Sequence, residues 1–557
     1  MKKKILENKK SICLIIFFST LISILNVILP MLVGTIIDKI VGIEWQEFIK
    51  YLLYLGIIYL LIYVLSYLQN KFLSKFVTDI QYKIRKELFE KITNLKIKEL
   101  DKSENGDILN SFSIDIENIS IGIMQGVPKV INGITTVIIL GIVMLKINIY
   151  LALIVIAVAP IMYFVSRFVT KSTNNFFKER ANIIGKLNNN SEEFVTYQEL
   201  IKDFNYEKYR IDEFNKINQE LYKTGVKAQF YSSLTNPSTR FVSNLAYIIV
   251  GIVGTVLMRK NQITIGNISS FLMYINIFNR PFNEITSILT EIQTAKASFN
   301  RIQEFMIKDE EENIGKEEIS FNGDIEFKDV EFSYTENKFI EKFNLKVKNG
   351  EKIAIVGRTG AGKTTIINMI LRFYDIKNGE ILIDGVNIKN IDLKCLRRNI
   401  GIVLQDTKLF TGTVSENIRY GMNNISNEEI KRVARLANAD SFINKLPQKY
   451  DTIINNDVLS AGEIQLITIA RAMLRNPKIL ILDEATSNVD LVTENKIQNS
   501  MLELMKNRTT FIIAHRLSTI KNADRIIYLE NGNIMEQGTH KELMNKKGKY
   551  YQMYINQ

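Results

Sequence analysis

The sequence predicts a multidomain protein in which an all-α domain of six transmembrane helices is followed by an α/β domain. Apolar stretches of about 20 residues, long enough to cross a bilayer, occur six times in the N-terminal half. The C-terminal half alternates short β-like runs with helical segments, as α/β domains do. The predicted boundaries are 1–308 for the membrane domain, 309–323 for a linker and 324–557 for the α/β domain.

The composition excludes two classes of protein. Of the 557 residues, 46% are hydrophobic, so most of the chain is too apolar to be disordered. The two cysteines, Cys13 and Cys395, are too few and too far apart in sequence for a disulfide scaffold. The net charge of +12, taken alone, is compatible with nucleic acid or with an anionic membrane surface as a partner.

Six apolar stretches define the predicted spans. Their approximate limits are Ser11 to Gly34, Tyr51 to Leu73, Val127 to Leu145, Tyr150 to Val169, Phe241 to Met258 and Ile265 to Ile288. The first stretch is too long for a cleaved signal peptide and has no evident small-residue cleavage site.

Basic residues predict the orientation of these spans in the membrane. Five of the first ten residues are lysine, and both long connections between spans are rich in Lys and Arg. We therefore expect both termini and both long connections on the cytoplasmic side of the cell (inner) membrane. This topology explains most of the excess positive charge, so membrane lipid is an expected partner and nucleic acid is not.

The two long connections have helical rather than loop-like patterns. Apolar residues recur at helical spacing in 81–100 and in 177–226. Turns are predicted at 101–107 and at 204–209. Each connection should carry its membrane helix into the cytoplasm and back, where it can contact a soluble domain.

Arg280 and Glu284 lie four residues apart in the inner half of the sixth predicted span. One interpretation is an i,i+4 ion pair near the cytoplasmic end of a helix. The other is a pair that lines a translocation cavity, because ionisable residues inside spans are often functional.

The soluble half contains a phosphate-binding pattern, GxxxxGK[ST], between a predicted strand at 352–356 and a helix that starts near Thr364. Glycines allow the backbone to surround the phosphates, and the amides and helix N-terminus supply positive potential. Lys363 is expected to bridge the β- and γ-phosphates, and the Thr364 hydroxyl to hold Mg²⁺. The predicted ATP-binding residues of this segment are Gly357, Arg358, Thr359, Gly360, Ala361, Gly362, Lys363, Thr364 and Thr365.

A second acidic motif follows four apolar residues at Ile479 to Leu482. Asp483 and Glu484 stand at the C-terminal end of this predicted buried strand, where ligands meet an open α/β sheet. Asp483 is expected to reach Mg²⁺, and Glu484 to orient and activate the attacking water.

These motifs resemble an ABC transporter half-unit of the bacterial exporter type, in which a six-helix membrane domain is fused to one nucleotide-binding domain. The resemblance covers nearly the whole chain and is most specific over 323–557. It implies that Tyr334 stacks on adenine and that Gln405 touches Mg²⁺ and senses the membrane domain. It also implies that His515 contacts the γ-phosphate and that Asp490 couples two ATP sites across a dimer.

The resemblance further implies a signature motif that caps the ATP bound by the opposite domain. It comprises Leu459, Ser460, Ala461, Gly462 and Glu463. Two positions depart from the usual LSGGQ: an alanine replaces the first glycine and a glutamate replaces the glutamine, which adds negative charge near the nucleotide. The preceding segment, 450–460, is about two residues shorter than is usual in the family. The resemblance therefore implies that local coupling to the membrane helices is either altered or shifted to Asp457.

The resemblance implies ATP-driven export by alternating access, with ATP and Mg²⁺ bound at two sites between paired half-transporters. The second half is either an identical chain or, favoured here by the altered signature beside an intact Glu484, a homologous one. The cargo is expected to be small and amphipathic or hydrophobic, with drug-like compounds ahead of lipids and peptides. The alternative is an ATP-gated channel or regulatory membrane protein without net pumping, against which Glu484 and His515 argue.

Overall fold

A computed structural model describes residues 9–334, 339–404, 407–455, 458–484, 490–514, 520–521 and 523–556. The chain forms two compact units. One comprises Met1–Thr93 with Glu104–Lys308, and the other Asn94–Ser103 with Asp309–Gln557. The segment Asn94–Ser103 thus belongs to the C-terminal unit, although continuous domain boundaries would place it with the membrane domain.

The N-terminal unit is entirely helical over its described regular elements. The described helices up to residue 307 are numbered in chain order, and one of them, the short α3, belongs to the other unit. They are α1 (Lys9–Val41), α2 (Trp45–Thr93), α3 (Ile97–Asp101), α4 (Asn105–Asn110), α5 (Ile116–Ile147), α6 (Ile149–Thr196), α7 (Gln198–Asp203), α8 (Glu207–Ser233), α9 (Thr235–Arg259) and α10 (Ile265–Ile307). A π-helical turn, Ser111–Asp115, joins α4 to α5.

The six predicted apolar stretches fall within α1, α2, α5, α6, α9 and α10, so the prediction of an all-α membrane domain with six long helices is confirmed. By length and composition, four helical stretches of the described chain are apolar enough to cross a membrane. These are Lys10–Val41, Trp45–Thr93, Asn105–Ile147 and Glu207–Arg259, with Ile149–Met162 as a shorter apolar helix.

The long connections extend the membrane helices as the sequence indicates. Helix α6 runs for 48 residues, far beyond the length of a span, before α7 and the return helix α8. Helix α2 runs for 49 residues and is followed by α3, which lies in the C-terminal unit. Each reversal occurs within a few residues of its predicted turn.

The described residues of the C-terminal unit form three sheets. Its strands are β1 (Ile325–Phe332), β2 (Ile340–Val347), β3 (Lys352–Val356), β4 (Asn378–Ile383), β5 (Val386–Asn387), β6 (Ile400–Val403), β7 (Gly412–Thr413), β8 (Ile453–Ile454), β9 (Ile479–Glu484), β10 (Thr509–Ala514), β11 (Arg525–Glu530) and β12 (Asn533–Gly538). The largest sheet has the order β12-β11-β3-β10-β9-β6, and an antiparallel sheet has the order β2-β1-β4-β5. Strands β7 and β8 form a small pair.

Helices cover the large sheet, and its parallel strands are apolar on both faces. The helices are α11 (Lys363–Ile370), α12 (Leu393–Asn399), α13 (Val414–Ile418), α14 (Asn427–Leu436), α15 (Asp440–Ile443), α16 (Ala461–Arg475), α17 (Leu491–Leu504), α18 (His540–Lys546) and α19 (Lys549–Ile555). Alternate residues of β3 enter two different cores, with Ala354 and Val356 in one and Ile353 and Ile355 in the other. The predicted α/β architecture is therefore confirmed, and the parallel strands β3, β6, β9, β10 and β11 all end at the same edge of the sheet.

Candidate nucleotide-binding site

The phosphate-binding segment is a tight loop between β3 and α11. Gly357 has a φ of +155°, and a Cβ at this position would lie 2.4 Å from the Leu529 carbonyl oxygen. Gly362 caps α11 in the left-handed region, with a φ of +104°. Because other residues are strained in such conformations, the pattern of glycines in the sequence fixes the path of this loop.

Lys363 lies at the first position of α11 and is 8% exposed. Its Nζ donates hydrogen bonds to the carbonyl oxygens of Gly357 at 2.8 Å and Arg358 at 3.3 Å. Burial lowers the pKa of the Lys363 ammonium, and the neighbouring Asp483 carboxylate opposes part of that shift. The ammonium is therefore held inside the curve of the loop, where phosphate oxygens can replace the two carbonyls.

The two threonines after Lys363 have different environments. Thr364 is exposed, so its hydroxyl can reach a ligand, whereas Thr365 is buried. The Tyr334 hydroxyl lies 3.1 Å from the Thr365 Oγ1 and donates to it. Arg358, with the following Thr359 and Gly360, is exposed on the loop, and Ala361 is buried beneath it.

Tyr334 belongs to an aromatic cluster at the end of β1. Its ring meets the rings of Phe332 at 4.8 Å and Tyr374 at 5.1 Å, both edge-on. The side chain is 39% exposed. Adenine stacking by Tyr334 remains a prediction, and the cluster restricts the ring surface that is accessible to a base.

The acidic pair at the end of β9 lies close to the phosphate loop because β10 separates β9 from β3 by one strand. In the register of β10, Asp483 is opposite Ile513, which is itself opposite Ile355 of β3. Asp483 interacts electrostatically with Lys363, so the structure brings these two predicted residues together, while their roles remain predictions. Glu484 is the last residue of β9.

The oxygen donors at this edge of the sheet fit Mg²⁺. The exposed Thr364 hydroxyl and the Asp483 carboxylate are hard ligands of the type that Mg²⁺ prefers. Among the described residues there is no group of three or more His, Cys, Asp or Glu side chains that could hold a metal. A magnesium ion that enters with nucleotide phosphates needs only one or two protein ligands, so the two findings agree.

The signature segment forms the N-terminus of α16. Ser460 is the N-cap, and its backbone amide and hydroxyl both donate to the Glu463 Oε2 at 2.9 Å. Ser460 and Glu463 thus form a reciprocal capping box. Leu459 is buried in the core, Gly462 is buried, and Ala461 is exposed. Within the described chain, no hydrogen bond links Ser460 or Glu463 to the phosphate loop.

Asp490 is the N-cap of α17. Its Oδ1 accepts hydrogen bonds from the Val492 and Thr493 amides, each at 3.0 Å. These bonds, with those from Thr493 dominant, hold the pKa of the Asp490 carboxyl below its ordinary value. The carboxylate is therefore ionised at neutral pH and already has a local structural role.

Three of the predicted functional groups lie outside the described part of the structure. These are Gln405, His515 and the side chain of Glu484. In the sequence, Gln405 comes two residues after the end of β6 and His515 directly after β10. Asp457, the alternative coupling position, also lies outside the described residues. Their roles remain predictions.

Two features of this unit were missed by sequence reasoning. The first is the capping box at α16, although the S-x-x-E spacing of Ser460 and Glu463 is its usual signal. The second is the contact of α3 with Tyr374, whose hydroxyl donates to the Asp101 carboxylate. No signal in a single sequence pairs two residues that are 273 positions apart.

Comparison with known protein families gives matches over both units. Residues 12–282 match the model described as ABC transporter transmembrane region, and residues 340–487 match the model described as ABC transporter. The two matches follow one another in a single chain, in the order that the sequence predicts.

Three curated proteins are similar over most of their length. The fatty acid ABC transporter ATP-binding/permease protein of Mycobacterium bovis is 38% identical over 89% of this chain and 79% of that protein. An uncharacterized ABC transporter ATP-binding protein of Bacillus subtilis is 37% identical over 99% of this chain and 92% of its own length. The ATP-dependent lipid A-core flippase of Syntrophus aciditrophicus is 34% identical over 94% of this chain and 88% of that protein.

Proposed function

This chain belongs to the ABC transporter family and is an ATP-hydrolysing membrane transporter of the exporter type, and we propose that it works as one half of a dimer that exports an amphipathic substrate by alternating access. The observation that carries the proposal is the phosphate loop around Lys363, one strand away from Asp483 and Glu484, in a chain that also contains the membrane helices.

ATP binds through its phosphates at the loop 357–362 and at the N-terminus of α11. Lys363 exchanges its two carbonyl partners for β- and γ-phosphate oxygens, and the helix amides add positive potential. Thr364, Asp483 and Gln405 would hold Mg²⁺, which would neutralise part of the phosphate charge when bound. Tyr334 contacts the adenine from the end of β1.

Hydrolysis requires an attacking water and a charge-stabilising site. Glu484, at the end of β9, orients and activates the water, and His515 contacts the γ-phosphate. The signature of the opposite domain, Ser460 and the first amides of α16, completes the site over the γ-phosphate. Asp490 lies at the start of the helix that follows Glu484, a position from which it can link the two sites.

Movement of the nucleotide-binding units reaches the membrane through the cytoplasmic helix turns. The hydrogen bond between Tyr374 and Asp101 supports this route, because α3 continues the chain of α2 yet packs with the C-terminal unit. The lysine-rich N-terminus and connections support a cytoplasmic position for both termini and the nucleotide-binding unit, in the cell membrane.

The partner is a second half-transporter, with a homologous chain favoured over an identical one because the signature is altered while Glu484 is present. Lipid surrounds the helices, and the cargo is amphipathic or hydrophobic. The printed names of two relatives, a fatty acid transporter and a lipid A-core flippase, support a lipid-like cargo alongside the drug-like compounds that the sequence favours.

The deciding experiment is Mg²⁺-dependent ATPase activity of this chain, purified alone into lipid nanodiscs, beside its Glu484→Gln and Lys363→Ala variants. We expect ATP binding to be lost in Lys363→Ala, and to be retained without turnover in Glu484→Gln. Activity that is unchanged in Glu484→Gln would refute its role as the base. Activity of the wild-type chain alone indicates a homodimer, whereas a folded, ATP-binding but inactive chain indicates a different partner.

A further inference from the structure

A polar cavity lies between α9 and α10 in the membrane unit. Its volume is about 690 Å³, within the range of roughly 300–1,000 Å³ that is usual for small-molecule sites. All nine lining residues have polar side chains, although both helices are mostly apolar. Ionisable residues within membrane spans are costly and mark substrate pathways.

The cavity lies at the end of the spans away from the short connection between α9 and α10. Counted from Ile265 at a rise of about 1.5 Å per residue, Asn276 is about 17 Å and Glu284 about 28 Å along α10. The hydrocarbon layer is about 30 Å thick. The site therefore extends from the middle of the membrane toward the side on which α10 continues beyond it.

Asn279 supplies an unsatisfied acceptor in this cavity. The residue is 4% exposed, and its Nδ2 donates to the Ser243 Oγ at 2.9 Å. Its Oδ1 is buried and has no hydrogen-bond partner among the described residues. The amide of Asn276 donates to the Tyr247 hydroxyl across the same cavity. A buried acceptor without a partner favours a ligand that brings a donor.

The charges of the cavity favour an anion. Arg280 donates through its Nε to the Glu284 Oε1 at 2.7 Å, so those two charges largely neutralise one another. Arg240 also lines the cavity, and no described carboxylate forms an ion pair with it. One guanidinium is therefore left for a ligand, and guanidinium groups match carboxylate and phosphate oxygens.

Two parallel stripes on α9 suit a molecule with a polar head and an apolar tail. Arg240, Asn244 and Tyr247 line the cavity at helical spacing. The stripe shifted by one residue consists of exposed apolar side chains. Its members are Phe241, Leu245, Ile248 and Ile252. A chain that lies along the second stripe places its headgroup in the cavity.

We propose that the cavity between α9 and α10 binds an amphiphile with an acidic oxygen headgroup, a carboxylate or a phosphate, that Arg240 and the asparagine amides recognise. This inference rests on the proposed function, because it assigns the cargo class and the headgroup site of that transporter. A hydroxyl group of the headgroup, beside the ionised oxygens that Arg240 binds, donates to the Asn279 Oδ1.

The test is equilibrium binding of tritiated palmitate to the full chain in dodecyl maltoside, a detergent without charged groups. Phosphatidylglycerol as competitor tests the phosphate headgroup, palmitate methyl ester tests the need for charge, and dodecyltrimethylammonium tests the opposite charge. We expect saturable binding that the ester and the cation do not displace. Displacement by phosphatidylglycerol assigns a lipid headgroup as a source, and its failure to displace assigns the free carboxylate.

Variants locate the site. Arg240→Gln should weaken palmitate binding by about tenfold or more, as expected for the loss of one charged hydrogen-bonding partner. Asn279→Asp, which preserves size but adds negative charge, should weaken it at least as much. Arg259→Gln, on the same helix outside the cavity, should bind like the wild type. A monodisperse gel-filtration profile shows that each variant is folded.

Several results would overturn the inference: no saturable binding of either acidic amphiphile, equal affinities in all variants, or preferential binding of the cation. The ATPase assay separates this failure from that of the proposed function. Glu484-dependent hydrolysis in a preparation that binds no acidic amphiphile would reject the cavity assignment alone. Hydrolysis that is independent of Glu484 would reject the proposed mechanism, whatever the cavity binds.

Discussion

Glu463 occupies the position at which an anion would meet the start of α16. Its Oε2 accepts hydrogen bonds from both the amide and the hydroxyl of Ser460. A carboxylate at the third position of a helix stabilises the helix, since it complements the partial positive charge of the N-terminus. The hydrogen bonds to Glu463 therefore occupy the Ser460 hydroxyl, which the proposed mechanism assigns to the γ-phosphate of the ATP bound by the partner.

The variant Glu463→Gln should therefore favour closure of the ATP-bound dimer. Glutamine retains the capping box but removes the negative charge. A helix-terminus charge contributes about 0.3–1 kcal/mol, so the ATP concentration for half-maximal hydrolysis should fall roughly two- to fivefold. Glu542→Gln is the matched control, because Glu542 forms the same capping box with Thr539 at α18. A higher ATP requirement in Glu463→Gln would contradict this account.

The buried position of Lys363 has a consequence for pH dependence. Its folded-state pKa is lowered from 10.5, chiefly by burial, so the folded chain loses this proton at a lower pH than the unfolded chain. Between the two pKa values the unfolded state binds more protons, and the nucleotide-free chain gains stability as pH rises. ATP binding, in contrast, should weaken as pH rises, because deprotonation of Lys363 removes the positive charge that holds the phosphates.

We therefore expect the ATP-induced increase in melting temperature to decline as pH rises from about 7 to about 10. In Lys363→Arg, the guanidinium stays protonated throughout this range, so whatever stabilisation by ATP that variant retains should vary less with pH. Thermal unfolding of both proteins with and without Mg-ATP measures the difference. Parallel declines in the two proteins would show that another group is responsible.

At the level of elements, hydrogen bonds attach α3 and the residues before it to the rest of the C-terminal unit. The Lys96 amide donates to the Asp309 carbonyl at 3.2 Å, and the Glu311 amide to the Asn94 carbonyl at 2.8 Å. The Tyr374 hydroxyl donates to Asp101, and burial, followed by this carboxylate, raises the pKa of the Tyr374 phenol. Tyr374 also touches Tyr334, so one aromatic cluster adjoins both α3 and the proposed adenine position.

Removal of the phenol hydroxyl in Tyr374→Phe should loosen this attachment by about 1 kcal/mol, the usual net contribution of a hydrogen bond. Amide hydrogen exchange in 94–103 should then become about fivefold faster, since opening of this segment controls it. Tyr551→Phe, a tyrosine of α19 at the far end of the chain, is the control. Unchanged exchange in Tyr374→Phe would show that Asp101 is not an anchor of α3.

At the scale of the whole molecule, the proposed mechanism needs a second chain for each complete ATP site. Ser460 and Glu463 bond to one another and not to the phosphate loop among the described residues. A mixture of two inactive variants tests the arrangement. One is Lys363→Ala, which lacks a working phosphate loop, and the other is Ser460→Arg, which blocks the signature.

If the chain forms homodimers, co-expression should restore part of the ATPase activity that each variant lacks alone. The restored site combines the intact Lys363 of one chain with the intact Ser460 of the other. The wild-type chain, assayed at the same total concentration, provides the reference. Activity of Ser460→Arg by itself would contradict a composite site, and an inactive mixture beside an active wild type would contradict pairing of identical chains.

Local chemistry explains which parts of the site were predictable. The loop between Gly357 and Gly362 follows from residues that tolerate positive φ, and the placement of Asp483 follows from a short apolar strand. The capping role of Asp490 was not predicted, although aspartate before a helical run is a common N-cap. The family resemblance assigns Asp490 only to coupling between the two ATP sites. Its hydrogen bonds to the start of α17 are local, so they give no information on that coupling.

The six apolar helices, the order of the two units and the phosphate loop are all predictable from local sequence, because bilayer thickness, hydrophobic periodicity and glycine conformation act over short stretches of chain. Only the tertiary structure placed α3 with the C-terminal unit and aligned Arg240 of α9 with Asn279 of α10 around one cavity. Those contacts depend on how helices pack, and packing brings together side chains that no local pattern relates.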